Sequence, residues 1–93
     1  MKHFAWNLEK NAQLIEERGI SFERVIYSIE KEKILDVIKH PNPSQYPHQR
    51  IFIVNIDGYA YLIPFVENDT EIFLKTIIPS RKATRKYLEV SDD

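Results

Sequence analysis

A single stretch, Lys39-His40-Pro41-Asn42-Pro43-Ser44-Gln45-Tyr46-Pro47-His48-Gln49, carries three prolines and separates two segments with different hydrophobic periods. Proline offers no amide N–H to a helix or a central strand, so neither element runs through it. The chain must fold as a front part and a back part joined by a loop. The front part has helical spacing. Asn7 can cap a helix from Leu8 to about Arg18, with Glu9 in its first turn, Leu8, Ala12 and Ile15 on one face, and Gly19 placed to end it in a left-handed cap. Ser21 can cap a second helix from Phe22 to about Lys31, with Phe22, Val25, Ile26 and Ile29 at three-and-four spacing. Ile34, Leu35, Val37 and Ile38 around Asp36 read as a short strand.

Behind the loop the period changes to that of strands. Arg50 to Ile56 is rich in β-branched and aromatic residues and stops at Asp57-Gly58, a two-residue hairpin signal. Tyr59 to Val66 should return antiparallel, with Pro64 forcing a bulge or an unpaired edge. After the turn Glu67-Asn68-Asp69-Thr70, a third strand from Glu71 to Ile78 completes an antiparallel meander. Ser80 caps a short basic helix from Arg81 to about Leu88, and Glu89 to Asp93 reads as a fraying tail. Two helices, then a meander, then a helix give an α+β class.

The 93 residues hold one core and so one domain, 1–93, and 43% hydrophobic content is enough to fold it. Without cysteine there are no disulfides, thiolate metal sites or cysteine nucleophiles, which suits a reducing cytoplasm. No run approaches the roughly 20 apolar residues of a membrane span, and the opening residues lack the apolar stretch of a signal peptide. Net charge is −1, so the molecule as a whole has no general affinity for polyanions. The exception is local: Arg81, Lys82, Arg85 and Lys86 are four of the six residues 81–86.

Only Gly19 and Gly58 are present, which excludes a glycine-rich phosphate loop, and His3, His40 and His48 lack the i, i+4 pairing of zinc hydrolases. No metal or other cofactor is expected. The carboxylates of the two helices read as a solvated charged face. Strand alternation places Glu71, Phe73, Lys75 and Ile77 on one face of the third strand, and Ile72, Leu74, Thr76 and Ile78 on the core face. Lys75 then projects from the far face, with Arg50 at the start of the first meander strand, Tyr59 and Tyr61 sharing a face of the second, and Arg81 and Lys82 beyond the third. Cations that offset phosphorane charge, with tyrosines beside them, are what metal-free phosphodiester cleavage and single-stranded RNA recognition use.

Four short segments, in order along the chain, carry a family resemblance. They are Phe4-Ala5-Trp6-Asn7 with Glu9-Lys10-Asn11, Arg18-Gly19-Ile20-Ser21-Phe22-Glu23, Arg50 ahead of its strand, and Ile77-Ile78-Pro79-Ser80-Arg81-Lys82-Ala83-Thr84. Together they resemble the BrnT-type ribonuclease toxins of bacterial type II toxin–antitoxin modules. The resemblance implies a RelE-like fold, metal-independent RNA cleavage that inhibits translation, and neutralisation by a cognate antitoxin. That partner commonly has a ribbon-helix-helix domain, and operator DNA is reached only through it. Arg50 and Arg81 match the family. Its third strand tends to place an Arg near Thr76, where this chain has Lys75 one residue along and on the other face, as base or second cation. The placement of Tyr59, Tyr61 and Lys82 makes them the expected RNA contacts. Here Asn7 and Arg18 stand where the family usually has Asp and His. A non-catalytic inhibitor of the same fold and a plain protein-interaction domain fit the same residues.

Overall fold

The computed structural model describes residues 2–89, so most of the expected tail lies outside the described residues. The expected caps form. The Asn7 side chain accepts from the Lys10 amide at 2.9 Å, opening α1 (Leu8–Arg18), and Gly19 closes it at φ 67°. Ser21 accepts from the Arg24 amide and opens α2 (Phe22–Glu30).

The inward face of α1 differs from the expected one. Asn11 and Leu14 are buried, whereas Leu8 is 78% and Ile15 50% exposed. Asn11 sets this rotation: its Oδ1 accepts from the Phe22 amide and its Nδ2 donates to Glu23, both at 2.8 Å. A buried amide with both ends satisfied outweighs the burial of two aliphatic side chains at a helix edge.

Past the end of α2, the Lys33 amide reaches the Ser28 carbonyl and that of Glu32 reaches Ile29. Such a closing motif wants a left-handed residue at the position of Glu32, whose φ is 59°. Glycine takes that conformation without Cβ strain, so Glu32→Gly is expected to stabilise the fold by about 1 kcal/mol, read from the urea midpoint.

The remaining elements are β1 (His3–Trp6), β2 (Ile34–Lys39), β3 (Gln49–Ile56), β4 (Tyr59–Glu67), β5 (Glu71–Leu74), β6 (Ile78–Pro79) and α3 (Arg81–Tyr87). The strands form one sheet in the order β1-β5-β4-β3-β2, with β6 also on β4. The hairpin at Asp57-Gly58 has positive φ at both residues, and the Asn55 side chain accepts from the Gly58 amide. β1 was not foreseen. It pairs parallel with β5, making the sheet mixed rather than a pure antiparallel meander. Its signal was the alternation of Phe4 and Trp6, both packed on the core.

The third meander strand is not continuous to Ile78, as the alternation had suggested. It stops at Leu74 and resumes as β6, and Pro64 of β4 lies opposite the gap. The Pro64 carbonyl accepts from the Lys75 amide at 2.8 Å, but proline has no N–H to return, so the ladder breaks there. The break shifts the alternation by one residue, so Ile77 enters the core fully buried while Ile78 is 39% exposed.

The sheet is covered on both faces. α1 and α2 cover one side through Leu14, Phe22 and Val25, packed against Phe52, Val54, Ile63, Phe65, Leu74 and Ile77. On the other side Ala83, with Tyr87 and Leu88, packs on Ile53, Ala60 and Leu62. The expected open face is therefore partly closed by α3; past the helix, Pro64, Val66 and Phe73 remain half-buried.

Candidate functional site

The structure does not bring the sequence-predicted site residues together. Arg50 alternates with Phe52 and Val54, which places it on the α1/α2 side of the sheet, at the proline-loop end. There it pairs with Glu67 and lies 5.2 Å from the Phe65 ring centroid. Lys2 reaches the same carboxylate at 2.6 Å. These two partners, Lys2 first, hold Glu67 below its usual value of 4.5. Arg50 thus shares an acid of the fold with Lys2.

Arg81 lies elsewhere. Arg50 pairs with Phe65, whereas the Ser80 amide bonds the Ala60 carbonyl, a position five residues along β3 from Arg50 and roughly 16 Å away. α3 also covers the opposite face. Arg50 and Arg81 do not converge, and no scissile bond can lie between them.

Tyr59 and Tyr61 meet edge-on with ring centroids 5.7 Å apart, and Tyr61 packs on the α1/α2 core, away from α3. Lys75 is exposed, with its ammonium 5.8 Å from the Phe73 ring. Since Phe73 pairs with Val66, the neighbour of core residue Phe65, Lys75 sits on the α3 side of the sheet. Arg81, Lys82 and Lys75 therefore belong to one side of the molecule, Arg50 and the tyrosines to the other.

The segment Ser80-Arg81-Lys82-Ala83-Thr84 can be divided by what each residue does. The Ser80 hydroxyl caps α3 by accepting from the Ala83 amide, and Ala83 is buried against the sheet. The buried Thr84 hydroxyl donates to the Ser80 carbonyl and accepts from the Ala60 amide, both at 2.8 Å. Those three residues clip the helix onto β4. Arg81 and Lys82 do nothing of the kind. They are exposed, as are Arg85 and Lys86 one turn on, and none of the four makes an ion pair among the described residues. The i, i+4 spacing aligns them into a ridge of four cations along a helix fixed to the sheet.

The far end of α3 is fixed by Tyr87, whose hydroxyl donates to Asp36 at 2.7 Å. The other Asp36 oxygen accepts from the Val37 amide on the outer edge of β2. The Tyr87 hydrogen bond is the main cause lowering the Asp36 pKa from 3.8, and its counterpart raises that of Tyr87 above 10.0. The raised phenol stabilises the fold fully below pH 10 and loses that contribution as pH rises through its folded value; the depressed carboxylate contributes above its unfolded value and loses this as pH falls through its folded one. Tyr87→Phe is thus expected to lower the urea midpoint at pH 7, with the difference from the parent beginning to shrink only above pH 10, as the folded phenol ionises.

A second basic surface was missed from sequence. Arg24, Tyr27, Lys31 and Lys33, with Asp57 and Gly58, line a cleft of about 480 Å³ beside the hairpin. A neighbouring cleft of about 390 Å³ shares Arg24 and Asp57 and adds Arg18 and Tyr61. These cations read as members of a solvated charged face because their carboxylate neighbours are adjacent in sequence; only the hairpin, folded against α2, shows that they share a groove. Arg18 also donates to the Ile77 carbonyl at 2.9 Å, tying the end of α1 to the link before β6.

A third cleft, about 470 Å³, lies under the proline loop and is lined by Lys39, Tyr46, His48, Arg50 and Glu67. The His40 ring packs against Tyr46, tilted by 39° with centroids 4.3 Å apart, and its Nδ1 accepts from the Asn42 amide, both interactions internal to the loop. Among the described residues no cluster of three or more His, Cys, Asp or Glu is arranged to hold a metal ion. No helix among them is long and apolar enough to cross a membrane. The chain matches no protein-family model, no curated protein and no solved structure.

Proposed function

We propose that this chain is an RNA-cleaving toxin of the BrnT kind, with a RelE-like fold, that meets its RNA at the basic ridge of α3. The observation that carries it is the division of labour in Ser80 to Thr84: the fold uses Ser80, Ala83 and Thr84, and leaves Arg81 and Lys82 facing solvent, in line with Arg85 and Lys86. In a chain of net charge −1, four aligned cations make a local positive field suited to a phosphate backbone. Lys75, on the same side next to the half-buried Phe73, extends that field along the sheet. Cleavage rests on the family resemblance, binding on the ridge.

In metal-free cleavage the ribose 2′ oxygen attacks the adjacent phosphorus and loses its proton. The bond to the 5′ oxygen breaks, and that oxygen takes up a proton, leaving a 2′,3′-cyclic phosphate and a 5′ hydroxyl. Arg81 offsets the charge of the phosphorane, and Lys75, anchored four residues along β4 from the start of α3 and roughly 13 Å away, takes a phosphate further along the RNA strand. Arg50 takes no part; it holds Glu67. The same ridge would attract an acidic segment of a cognate antitoxin, and covering it would block RNA.

Controlled induction in a host lacking any antitoxin is the test. Growth arrest accompanied by transcripts bearing new 5′ hydroxyl ends, both lost in Arg81→Ala, supports the proposal. Arrest with intact transcripts would instead identify a non-catalytic inhibitor.

A further inference from the structure

We infer that the groove between α2 and the hairpin is a second station for the same single-stranded RNA, with Tyr27 as its base-stacking platform. The inference rests on the proposed RNA-binding role but on different residues.

Tyr27 is 54% exposed, unlike the other ring of α2, Phe22, which is buried and stacks on Trp6 of β1 at 5.9 Å. Two cations approach its ring: the Arg24 guanidinium at 5.3 Å from the centroid, and the Lys31 ammonium at 5.5 Å. They are not equally held. Arg24 is fixed by hydrogen bonds to the Ser28 hydroxyl at 2.5 Å and Asp57 at 3.0 Å. Lys31 has no hydrogen bond or ion pair from its ammonium among the described residues. A base can therefore displace Lys31 from the ring and stack there, while the freed ammonium and that of Lys33 take the flanking phosphates. Asp57, the one acid lining the groove among the described residues, is already paired with Arg24.

The groove also leads towards the ridge. Gly58 lines it, and two residues on, Ala60 carries the start of α3. A strand crossing the hairpin tip would touch Tyr27 on one side of the sheet and Arg81 on the other.

Fluorescence anisotropy with labelled oligouridylates of about four and about twelve nucleotides tests this on the full chain. Tyr27→Ala is expected to weaken the longer RNA about tenfold, with Tyr27→Phe retaining affinity and the short RNA, held on α3, unaffected. The exposed position should leave the urea midpoint of each variant at the parent value. Unchanged affinity of Tyr27→Ala for the longer RNA would overturn the inference, and if neutralising the α3 ridge still abolished binding, the proposed function would stand without it. If Tyr27→Ala weakens binding and ridge neutralisation does not, the groove stands and the α3 site falls. Failure of the parent chain to bind either RNA removes both.

Discussion

Replacing Arg81, Lys82, Arg85 and Lys86 together by glutamine is expected to abolish measurable RNA binding at physiological salt, to release growth arrest, and to leave folding intact. Glutamine is about as good a helix former as the residues it replaces, and of the four side chains only Lys86 approaches the packed layer, its ammonium 5.3 Å from the Tyr87 ring, so α3 should stay docked through Ala83, Thr84 and Tyr87. The loss is electrostatic. Each phosphate contact on a single strand contributes about 0.7 to the slope of log affinity against log salt, so losing four contacts should flatten that slope by about 3. A fall in affinity with an unchanged slope would mean that the helix had been disturbed rather than discharged. Arg50→Gln provides the contrast: its guanidinium is engaged with Glu67 in an exposed pair, so the salt slope should not change and stability should drop by no more than about 1 kcal/mol.

Phe65→Ala is expected to cost about 3 to 5 kcal/mol, a large part of the 5 to 15 kcal/mol that holds a domain of this kind together. Phe65 is 1% exposed and stacks on Phe52 with centroids 4.0 Å apart. Beside it Arg50 approaches its ring, and across β5 it pairs with Leu74. Alanine would leave a cavity bounded by strand residues that cannot collapse without breaking the ladder opposite Pro64. Urea unfolding followed by far-UV circular dichroism measures the loss. A cost below about 1 kcal/mol would show that Phe65 does not anchor the α1/α2 layer to the sheet.

The caps, the hairpin and the basic helix were legible in the sequence because each depends on a few adjacent residues: Asn7, Ser21 and Ser80 at helix starts, Asp57-Gly58 at a tight turn. β1 was not, since a strand of alternating Phe4 and Trp6 is too short to distinguish from a lead-in to α1 until β5 is there to pair with it. The face of α1 misled for a related reason. Apolar spacing favoured Leu8, Ala12 and Ile15, but the deciding interactions belong to Asn11 and join it to residues of the next helix. Pro64 was read as a break in pairing, and a break forms, yet its effect on the neighbouring strand, shifting Ile77 into the core, required the register.

The candidate site shows the same division. The basic run at 81–86 was visible as composition, but which cations remain available depends on acids distant in sequence. Glu67 claims Arg50 and Lys2, Asp57 claims Arg24, and among the described residues no acid pairs with α3's four cations. The convergence of Arg50 with Arg81 failed because covering the second sheet face with α3 put the two on opposite sides.

Titration of an isotope-labelled sample with a short uridine-rich RNA, followed by amide and guanidinium chemical shifts, addresses the contact surface most directly. The expected result is saturable shifts along Arg81 to Tyr87 and at Lys75, with Arg50 and the proline loop unmoved. Shifts centred on Arg50, Tyr46 and His48, with α3 silent, would contradict it.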